Sequence, residues 1–398
     1  MAFNFQKYIT NKSEELFEKV KQHREYLHQH PELSYKEYNT MNYISEQLTK
    51  IGIKHEKGVA ETGVVGIIQG DHHSFNQPCV GLRADIDALP IHEENEFEFA
   101  SKNEGVMHAC GHDVHTAILL GVAEILLEIK DELPHPVKLI FQPGEEKNPG
   151  GASMMIKAGC LENPKVFKMY GLHSAPEIDV GEIGTREGLF MASSDEIYIN
   201  VMGKGGHGAR PHEAIDSILV AAEIVTSLQK IVSRNTDPTL PCVLTFGHFE
   251  AMGATNIIPE KVYLKGTFRA MNEAWRNQAL DQIERQAKLI AEAHHAKAEI
   301  NISRGYPFLE NDIQTTQKFL EEATKWLGKD RVNPNIPLRM GSEDFSYYAQ
   351  EIPTCFFRLG VKNEDKGIIH GLHTPRFNID NQALIIGMQM MAMCGISE

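Results

Sequence analysis

The chain has 398 residues, of which 42% are hydrophobic and 23% charged, proportions typical of a folded protein and too apolar for a disordered one. At roughly 150 residues per domain, this length predicts two domains, or one domain that carries a large insertion. The 39 basic and 54 acidic side chains give a formal net charge of −15, which argues against nucleic acid and anionic membrane surfaces as main partners.

The sequence also lacks the features of a membrane-spanning or exported protein. No apolar run approaches the roughly 18 residues needed to cross a bilayer, and the N-terminal region lacks the apolar stretch of a secretory signal. The six cysteines are scattered without a Cys-x-x-Cys pair, which favours reduced thiols. We therefore expect a cytoplasmic protein with no membrane partner.

Helices and strands alternate through the first part of the chain. Residues 12–53 predict two helices, broken at Pro31, with Ser34 and Glu37 in a capping-box pattern at the start of the second. The segments that follow predict the strands VVGIIQG, CVGLRADIDALPI, VKLIFQP and KMYGLH, with a helix over residues 115–130 and another in GGASMMIKAG. This order predicts an α/β domain whose sheet is mostly parallel and covered by helices on both faces.

The pattern changes in the middle of the chain. Residues 195–303 predict the order strand, helix, strand, strand, helix, strand, which is that of a ferredoxin-like α+β unit. Later residues return to the first pattern with a helix, the strand PTCFFRLG and a closing apolar helix. The sequence therefore predicts a discontinuous α/β domain of residues 1–184 and 304–398, interrupted by an inserted domain of residues 185–303.

The densest cluster of chemically active side chains lies in HACGHDVH, residues 108–115, which contains three imidazoles, a thiol and a carboxylate. Neutral imidazole and thiolate are preferred ligands of zinc and its neighbours, and Gly111 permits a turn that lets Cys110 and His112 converge on one ion. Cysteine and histidine also occur without a metal at buried helix starts, so this segment alone leaves both interpretations open.

Three further segments add ligand-type side chains. Glu145 and Glu146 follow VKLIFQP at the carboxyl end of a predicted parallel strand, the edge at which open α/β sheets place their ligands. Adjacent carboxylates repel unless one of them binds a cation while the other handles protons. His173 comes directly after an apolar strand, and His373 lies in GLHTP near the C-terminus.

Together these segments predict a site for two metal ions. The five ligand-type side chains belong to Cys110, His112, Glu146, His173 and His373. Five ligands exceed the four of a closed tetrahedral site. With water as a shared ligand they suit two divalent ions about 3.5–4 Å apart, an arrangement that activates a nucleophile and polarises a carbonyl group.

Five motifs, RADIDALP, HACGHD, GEE, GLH and LHTP, occur in this order over nearly the whole chain. In them the sequence resembles the aminoacylase and glutamate carboxypeptidase family of metallopeptidases, in particular its amidohydrolase branch. That branch includes hippurate hydrolases, N-acyl amino acid amidohydrolases and plant auxin-conjugate hydrolases, and HACGHD is the motif most specific to it. The resemblance implies hydrolysis of the amide bond of a small N-acyl amino acid, a catalytic domain with two metal ions, and an inserted lid or dimerisation domain.

The resemblance also implies roles for individual residues. The five ligand-type residues would be the metal ligands, with Cys110 or a carboxylate bridging the ions, and Glu145 would be the general base that takes a proton from water. Asp85 is expected to orient a metal-ligating histidine. Arg83 stands where more distant relatives have a ligating histidine. The expected ions are Zn²⁺ or Mn²⁺, with Co²⁺ or Ni²⁺ as alternatives.

Four other residues are expected to act on the substrate. By resemblance, His207 in GKGGHGARPH reaches into the active site and stabilises the oxyanion, often from the partner subunit of a homodimer or a higher homo-oligomer. Asn256 and Arg269 are expected to contact the substrate, with Arg269 as the natural partner of its α-carboxylate. The turn at Gly341 offers backbone amides for the same carboxylate.

Two alternative functions stay open at this point. A non-catalytic oligomeric binding protein would keep the same fold without bound transition metal or turnover. An amidase of a different kind would use Cys110 as a nucleophile beside a histidine. A Glu145→Gln variant separates the last alternative from the metal-dependent mechanism, because a cysteine hydrolase retains most of its activity without Glu145.

Overall fold

The computed structural model describes residues 3–74 and 76–397, so the predicted domain limits at residues 1 and 398 lie outside the described residues. Its α-helices, in chain order, are α1 Phe5–Glu15, α2 Phe17–Gln29, α3 Tyr38–Ile51, α4 His112–Glu128, α5 Gly151–Lys157, α6 Ser217–Lys230, α7 Glu273–Ala293, α8 Ile313–Leu327, α9 Ser346–Glu351 and α10 Ala383–Gly395. Its β-strands are β1 Lys54–Val59, β2 Gly63–Ile68, β3 Cys79–Asp85, β4 Val137–Gln142, β5 Val166–Asp179, β6 Ile183–Gly184, β7 Gly188–Met191, β8 Asp195–Met202, β9 Gly206–His207, β10 Cys242–Ala251, β11 Ile257–Ile258, β12 Lys261–Ala270, β13 Lys297–Arg304, β14 Leu309–Asn311, β15 Val332–Asn333 and β16 Thr354–Lys362. Among these residues no helix is both long and apolar enough to cross a membrane.

The chain forms two compact units, each with its own hydrophobic core. The first unit consists of Met1–Gly188, Glu310–Pro337 and Tyr347–Glu398, and the second of Leu189–Leu309 and Leu338–Ser346. The second unit thus includes a short late segment that the sequence assigns to the α/β domain. This segment is irregular and is held by backbone hydrogen bonds to Ala192, which no sequence periodicity reveals.

The first unit is built on an eight-stranded sheet with the order β1-β2-β4-β3-β5-β16-β6-β15. Its four central strands, β4, β3, β5 and β16, run parallel to one another, which confirms the predicted sheet. Strands β3 and β4 are buried along their whole length, as expected for strands covered on both faces. The sequence analysis missed β1, an exposed and charged edge strand that pairs antiparallel with β2 and lacks a clear alternation of apolar residues.

The N-terminal region contains three helices rather than the two predicted, because a single residue, Leu16, separates α1 from α2. The capping box predicted at the start of the third helix is wrong. The hydroxyl of Ser34 donates a hydrogen bond to Asp87, and the carboxylate of Glu37 accepts one from Thr62. Both side chains therefore bond to distant segments instead of to the first turn of the helix.

The second unit contains a four-stranded antiparallel sheet with the order β10-β12-β8-β13 and the two long helices α6 and α7. The element order along the chain confirms the ferredoxin-like pattern. Alternate residues of β8, Ile197, Ile199 and Val201, are buried in the core of this unit. The period-2 burial of β8 is that of a strand with one covered face.

Candidate metal centre

The segment HACGHD forms the turn into α4. Gly111 is the N-cap residue of this helix and has a φ of 85°, in the left-handed region. A Cβ atom at this position would lie 2.2 Å from the hydroxyl oxygen of Ser174, so only glycine fits. The turn places Cys110 just before the helix and His112 at its first position, and both side chains are buried.

Two histidines from distant segments contact the thiol of Cys110. The Nε2 atom of His173 lies 3.4 Å from Cys110 Sγ, and the Nε2 atom of His373 lies 3.3 Å from it. The backbone amide of His373 also donates a hydrogen bond to the carbonyl of Ala109 at 2.8 Å. The C-terminal segment is therefore fixed directly against the turn that carries Cys110.

His173 lies inside β5, and not after the end of a strand as the sequence suggests. Gly171 of β5 pairs with Arg83 of β3, so the parallel register brings His173 level with Asp85, the last residue of β3. Because β5 continues beyond β3, a residue in the middle of one strand reaches the carboxyl edge of its neighbour.

The two adjacent glutamates face the same group of side chains. Glu146 Oε1 lies 3.3 Å from the Nε2 atom of His373 and 4.0 Å from that of His112. One ligand-type atom each from His112, Glu145 and Glu146 lies within 4.8 Å of the others. The structure thus brings all five predicted ligands and Glu145 into one cluster.

Cys110 belongs to two overlapping groups of possible metal ligands, one with His112 and His173 and one with Glu146 and His373. In each group the ligand atoms lie within 4.8 Å of one another. The Nε2 atom of His112 is buried and has no hydrogen-bond partner among the residues that the structure describes. A shared thiolate and an unpartnered imidazole nitrogen fit two neighbouring cations.

The electrostatics of the cluster also suit cations. Burial and the carboxylates of Glu146, Glu145 and Asp85 raise the pKa of the Cys110 thiol well above its usual range. Burial opposes a charge on His112, but the carboxylates of Asp85 and Asp87 raise the pKa of its imidazole to about 10. The same negative charges that hold protons on these groups attract divalent ions in their place.

Two carboxylates flank the ring of His112: Asp87 lies at its Nδ1 atom, and Asp85 Oδ2 lies 3.6 Å from its Nε2 atom. The Nδ1 atom of His112 lies 2.9 Å from the carbonyl oxygen of Asp87 and 3.2 Å from its carboxylate, which leaves Nε2 to face the other ligands. Asp85 also contacts a second imidazole, with 2.6 Å between its carboxylate and His115 Nδ1, and accepts a hydrogen bond from Arg83. Asp87 was not singled out from the sequence, although it lies two residues after Asp85 in RADIDALP, the spacing at which side chains of an extended segment point to the same side.

Four predicted substrate residues lie in the second unit. His207 ends β9 with an exposed side chain, and the amide of the next residue, Gly208, donates a hydrogen bond to the carbonyl of Asn256 at 2.8 Å. Arg269 is half-buried, and its guanidinium lies 3.3 Å from the hydroxyl of Ser342, beside Gly341. This unit therefore brings His207 close to Asn256, and Arg269 close to the turn at Gly341.

Comparison with known proteins relates this chain to a single family. Residues 81–394 match the sequence profile of peptidase family M20/M25/M40. The chain is 39% identical to the N-acetyl-L-cysteine deacetylase of Bacillus subtilis (strain 168) over 362 aligned residues. This alignment covers 91% of this chain and 84% of that protein. The chain is also 44% identical to the N-acyl-L-amino acid amidohydrolase of Geobacillus stearothermophilus over 285 aligned residues. This alignment covers 71% of this chain and 75% of that protein.

A solved structure has the same fold over nearly the whole length of this chain. The YXEP protein of Bacillus subtilis, described as a dinuclear metal binding peptidase from the M20 family, matches with a TM-score of 0.81 and 33% sequence identity. The match covers 96% of this chain and 98% of that one.

Proposed function

The chain belongs to peptidase family M20/M25/M40 and is a metal-dependent amidohydrolase, and on that premise we propose that it cleaves the amide bond of N-acyl amino acids into a free acid and an amino acid. The observation that carries the proposal is the position of Cys110 in two ligand groups, with Glu145 within 4.8 Å of His112 and Glu146. Two relatives whose names specify acylated amino acids support the substrate class.

The five ligand-type residues Cys110, His112, Glu146, His173 and His373 would hold two divalent ions. We propose Zn²⁺ or Mn²⁺, with Co²⁺ or Ni²⁺ as alternatives, because a thiolate and three imidazoles favour transition metals over Mg²⁺ and Ca²⁺. When bound, such ions would supply Lewis acidity that lowers the pKa of a water molecule and polarises the amide carbonyl.

Glu145 would act as the general base. Its carboxylate is buried beside His112 and Glu146, so it can accept a proton from the attacking water and return that proton to the leaving amine. A carboxylate bound to a cation is less basic than a free one, so the glutamate that does not bind an ion is the better base. The division of roles between Glu145 and Glu146 therefore follows the chemistry of the two adjacent carboxylates.

Four further residues would act on the substrate. We propose that His207 donates a hydrogen bond to the developing oxyanion and acts from the partner subunit of a homodimer or higher oligomer. Asn256, Arg269 and the backbone at Gly341 would bind the α-carboxylate of the substrate. The half-buried guanidinium of Arg269 supports this assignment, because a partly desolvated Arg binds a carboxylate more strongly than an exposed one.

We propose a cytoplasmic location. All six cysteines are free thiols in the described part of the chain, as expected of a protein from a reducing compartment. A reducing compartment would also protect the thiolate of Cys110 from oxidation.

A Glu145→Gln variant tests the proposed reaction. We expect kcat for N-acetyl and N-benzoyl amino acids to fall by roughly 10²- to 10⁴-fold, because glutamine keeps the shape of the side chain but cannot accept the proton. Elemental analysis should find the same metal content as in the unchanged protein. Glu132→Gln, at an exposed position in the same unit, is the matched control and should keep full activity.

Two other outcomes would contradict the proposal. Retention of most activity in the Glu145→Gln variant would indicate a cysteine nucleophile, although the raised pKa of Cys110 is the opposite of what such a nucleophile needs. Absence of bound transition metal, together with no turnover after addition of Mn²⁺, Co²⁺ or Zn²⁺, would indicate a binding protein.

A further inference from the structure

Glu37 is a fully buried carboxylate in the first unit. It occupies the N-cap position of α3, but within the described residues its side chain makes no capping hydrogen bond. Glu32 serves that helix end instead, since its carboxylate accepts hydrogen bonds from the backbone amides of Asn39 and Thr40. The side chain of Glu37 therefore has a different task, because buried glutamates are rare without a specific partner.

The partners of Glu37 lie on the turn that carries the proposed general base. Its Oε1 atom accepts a hydrogen bond from the backbone amide of Gly144 at 2.9 Å, and its Oε2 atom accepts one from the hydroxyl of Thr62 at 2.7 Å. Gly144 directly precedes Glu145. Its φ of 60° and the close ring of Tyr35, 2.2 Å from where a Cβ atom would be, restrict this position to glycine.

Hydrogen bonds hold the backbone on both sides of Glu145. The amide of Gly144 is held by Glu37, and its carbonyl accepts a hydrogen bond from the amide of Gly151 at 3.0 Å. After Glu145, the amide of Glu146 donates to the carboxylate of Asp87 at 3.0 Å. Two side chains take part in these hydrogen bonds. Glu37 binds the backbone amide before Glu145 in the chain, and Asp87 binds the one after it.

The carboxylate of Glu37 is costly to bury. Burial, with a contribution from the charge of Asp87, raises the pKa of Glu37 to about 7. A neutral side chain of similar volume would avoid the cost of burying this carboxylate. A base, however, must be held within a fraction of an ångström of its proton, and a misplacement of about 1 Å costs up to 10²-fold in rate.

We propose that Glu37 is a positioning residue for Glu145: it fixes the peptide of Gly144 and thereby directs the carboxylate of the base. The inference rests on the proposed function, because it takes Glu145 to be the base. It predicts that the loss of the hydrogen-bond acceptor at position 37 slows the reaction without weakening the binding of substrate or metal.

Replacement of Glu37 by methionine tests this inference, since methionine keeps the volume of the side chain and removes the acceptor. We expect Glu37→Met to lower kcat by roughly 10- to 100-fold, with KM and metal content unchanged. Glu37→Gln should restore most of kcat, because its amide oxygen can accept the same hydrogen bond. Glu32→Met, at the same end of α3, is the matched control and should lower the melting temperature without a change in kcat.

Equal kcat values for the Glu37→Met and Glu32→Met variants would overturn the inference, as would a loss that Glu37→Gln does not restore. If Glu37→Met does not fold, the same comparison between Glu37→Ala and Glu32→Ala decides. The Glu145→Gln variant distinguishes a failure of the proposed general base from a failure of the positioning role of Glu37. Full activity in that variant would refute the general base itself, whereas an inactive Glu145→Gln with wild-type kcat in the Glu37 variants would refute only the positioning role.

Discussion

Asp87 joins three parts of the candidate metal centre through one carboxylate. It faces the Nδ1 atom of His112, and its Oδ2 atom accepts hydrogen bonds from the amide of Glu146 and the hydroxyl of Ser34. These contacts lower the pKa of Asp87 despite its burial, so the group stays charged. A charged acceptor on Nδ1 raises the basicity of Nε2, the nitrogen left for a cation.

An Asp87→Asn variant should therefore bind metal more weakly. We expect a loss of roughly 10- to 100-fold in affinity, because the neutral amide neither fixes the ring as firmly nor increases its basicity. Competition with a chromophoric chelator measures this affinity. Asp71→Asn, at an exposed position with a surface ion pair, is the control and should bind metal normally. Equal affinities in the two variants would exclude the orienting role of Asp87.

At the scale of single residues, the sequence reveals the candidate metal ligands but not the side chains that hold those ligands by hydrogen bonds. Thiol, imidazole and carboxylate groups beside predicted strands were enough to predict the cluster around Cys110. Asp85 and Asp87, however, are two residues apart in RADIDALP, so spacing alone does not distinguish their contacts with His112. Glu37 was assigned to a helix cap because its partner, Gly144, is distant in the sequence.

At the scale of elements, the start of α4 depends on one tightly packed glycine. Gly111 and Gly159 both have a φ of 85°, but their surroundings differ. A Cβ atom at Gly111 would lie 2.2 Å from the hydroxyl of Ser174, whereas one at Gly159 would have no described atom within 4 Å. An alanine at Gly159 would therefore cause backbone strain alone, whereas an alanine at Gly111 would cause the same strain and a steric clash.

We expect Gly159→Ala to lower the free energy of unfolding by about 1–2 kcal/mol, the cost of the left-handed conformation. Gly111→Ala should cost more, because the backbone or Ser174 must also move, and it should reduce metal content by displacing Cys110 and His112. Urea denaturation and elemental analysis measure the two effects. Equal losses of stability with full metal content in both variants would contradict this interpretation.

Periodic elements were predicted well, and irregular ones were not. The central strands of the first unit and the six main elements of the second follow from runs of apolar residues and from helical periodicity. The extension of β5 beyond His173 was not predicted, because the residues that follow lack the apolar pattern of a buried strand. Strand β1 is mostly exposed and pairs with β2 at the edge of the sheet, so its apolar pattern is weak.

At the scale of the whole molecule, the proposed role of His207 depends on assembly. We expect His207→Ala to reduce turnover with unchanged metal content, because the residue would stabilise the oxyanion and bind no ion. When this variant is co-refolded with Glu145→Gln, each mixed dimer would contain one site with both side chains intact. Partial recovery of activity, relative to each variant alone, is the expected result. No recovery would contradict action across subunits.

A change in the order of helices and strands near residue 185 is visible in the sequence, and the two units differ in that order. The late segment Leu338–Ser346 was not visible. It joins the second unit through backbone hydrogen bonds, such as that from Ala192 to the carbonyl of Gly341, and carries no periodic signal.

The position of β16 between β5 and β6 has a consequence for biosynthesis. While the ribosome is still making residues after β13, the four strands of the second unit's sheet have all been translated, but β5 still lacks β16, one of its two neighbours. A nascent chain thus carries a long unpaired strand edge, the kind of surface that chaperones cover. His373 is translated later still, so a polypeptide that ends before it would lack one of the five proposed metal ligands.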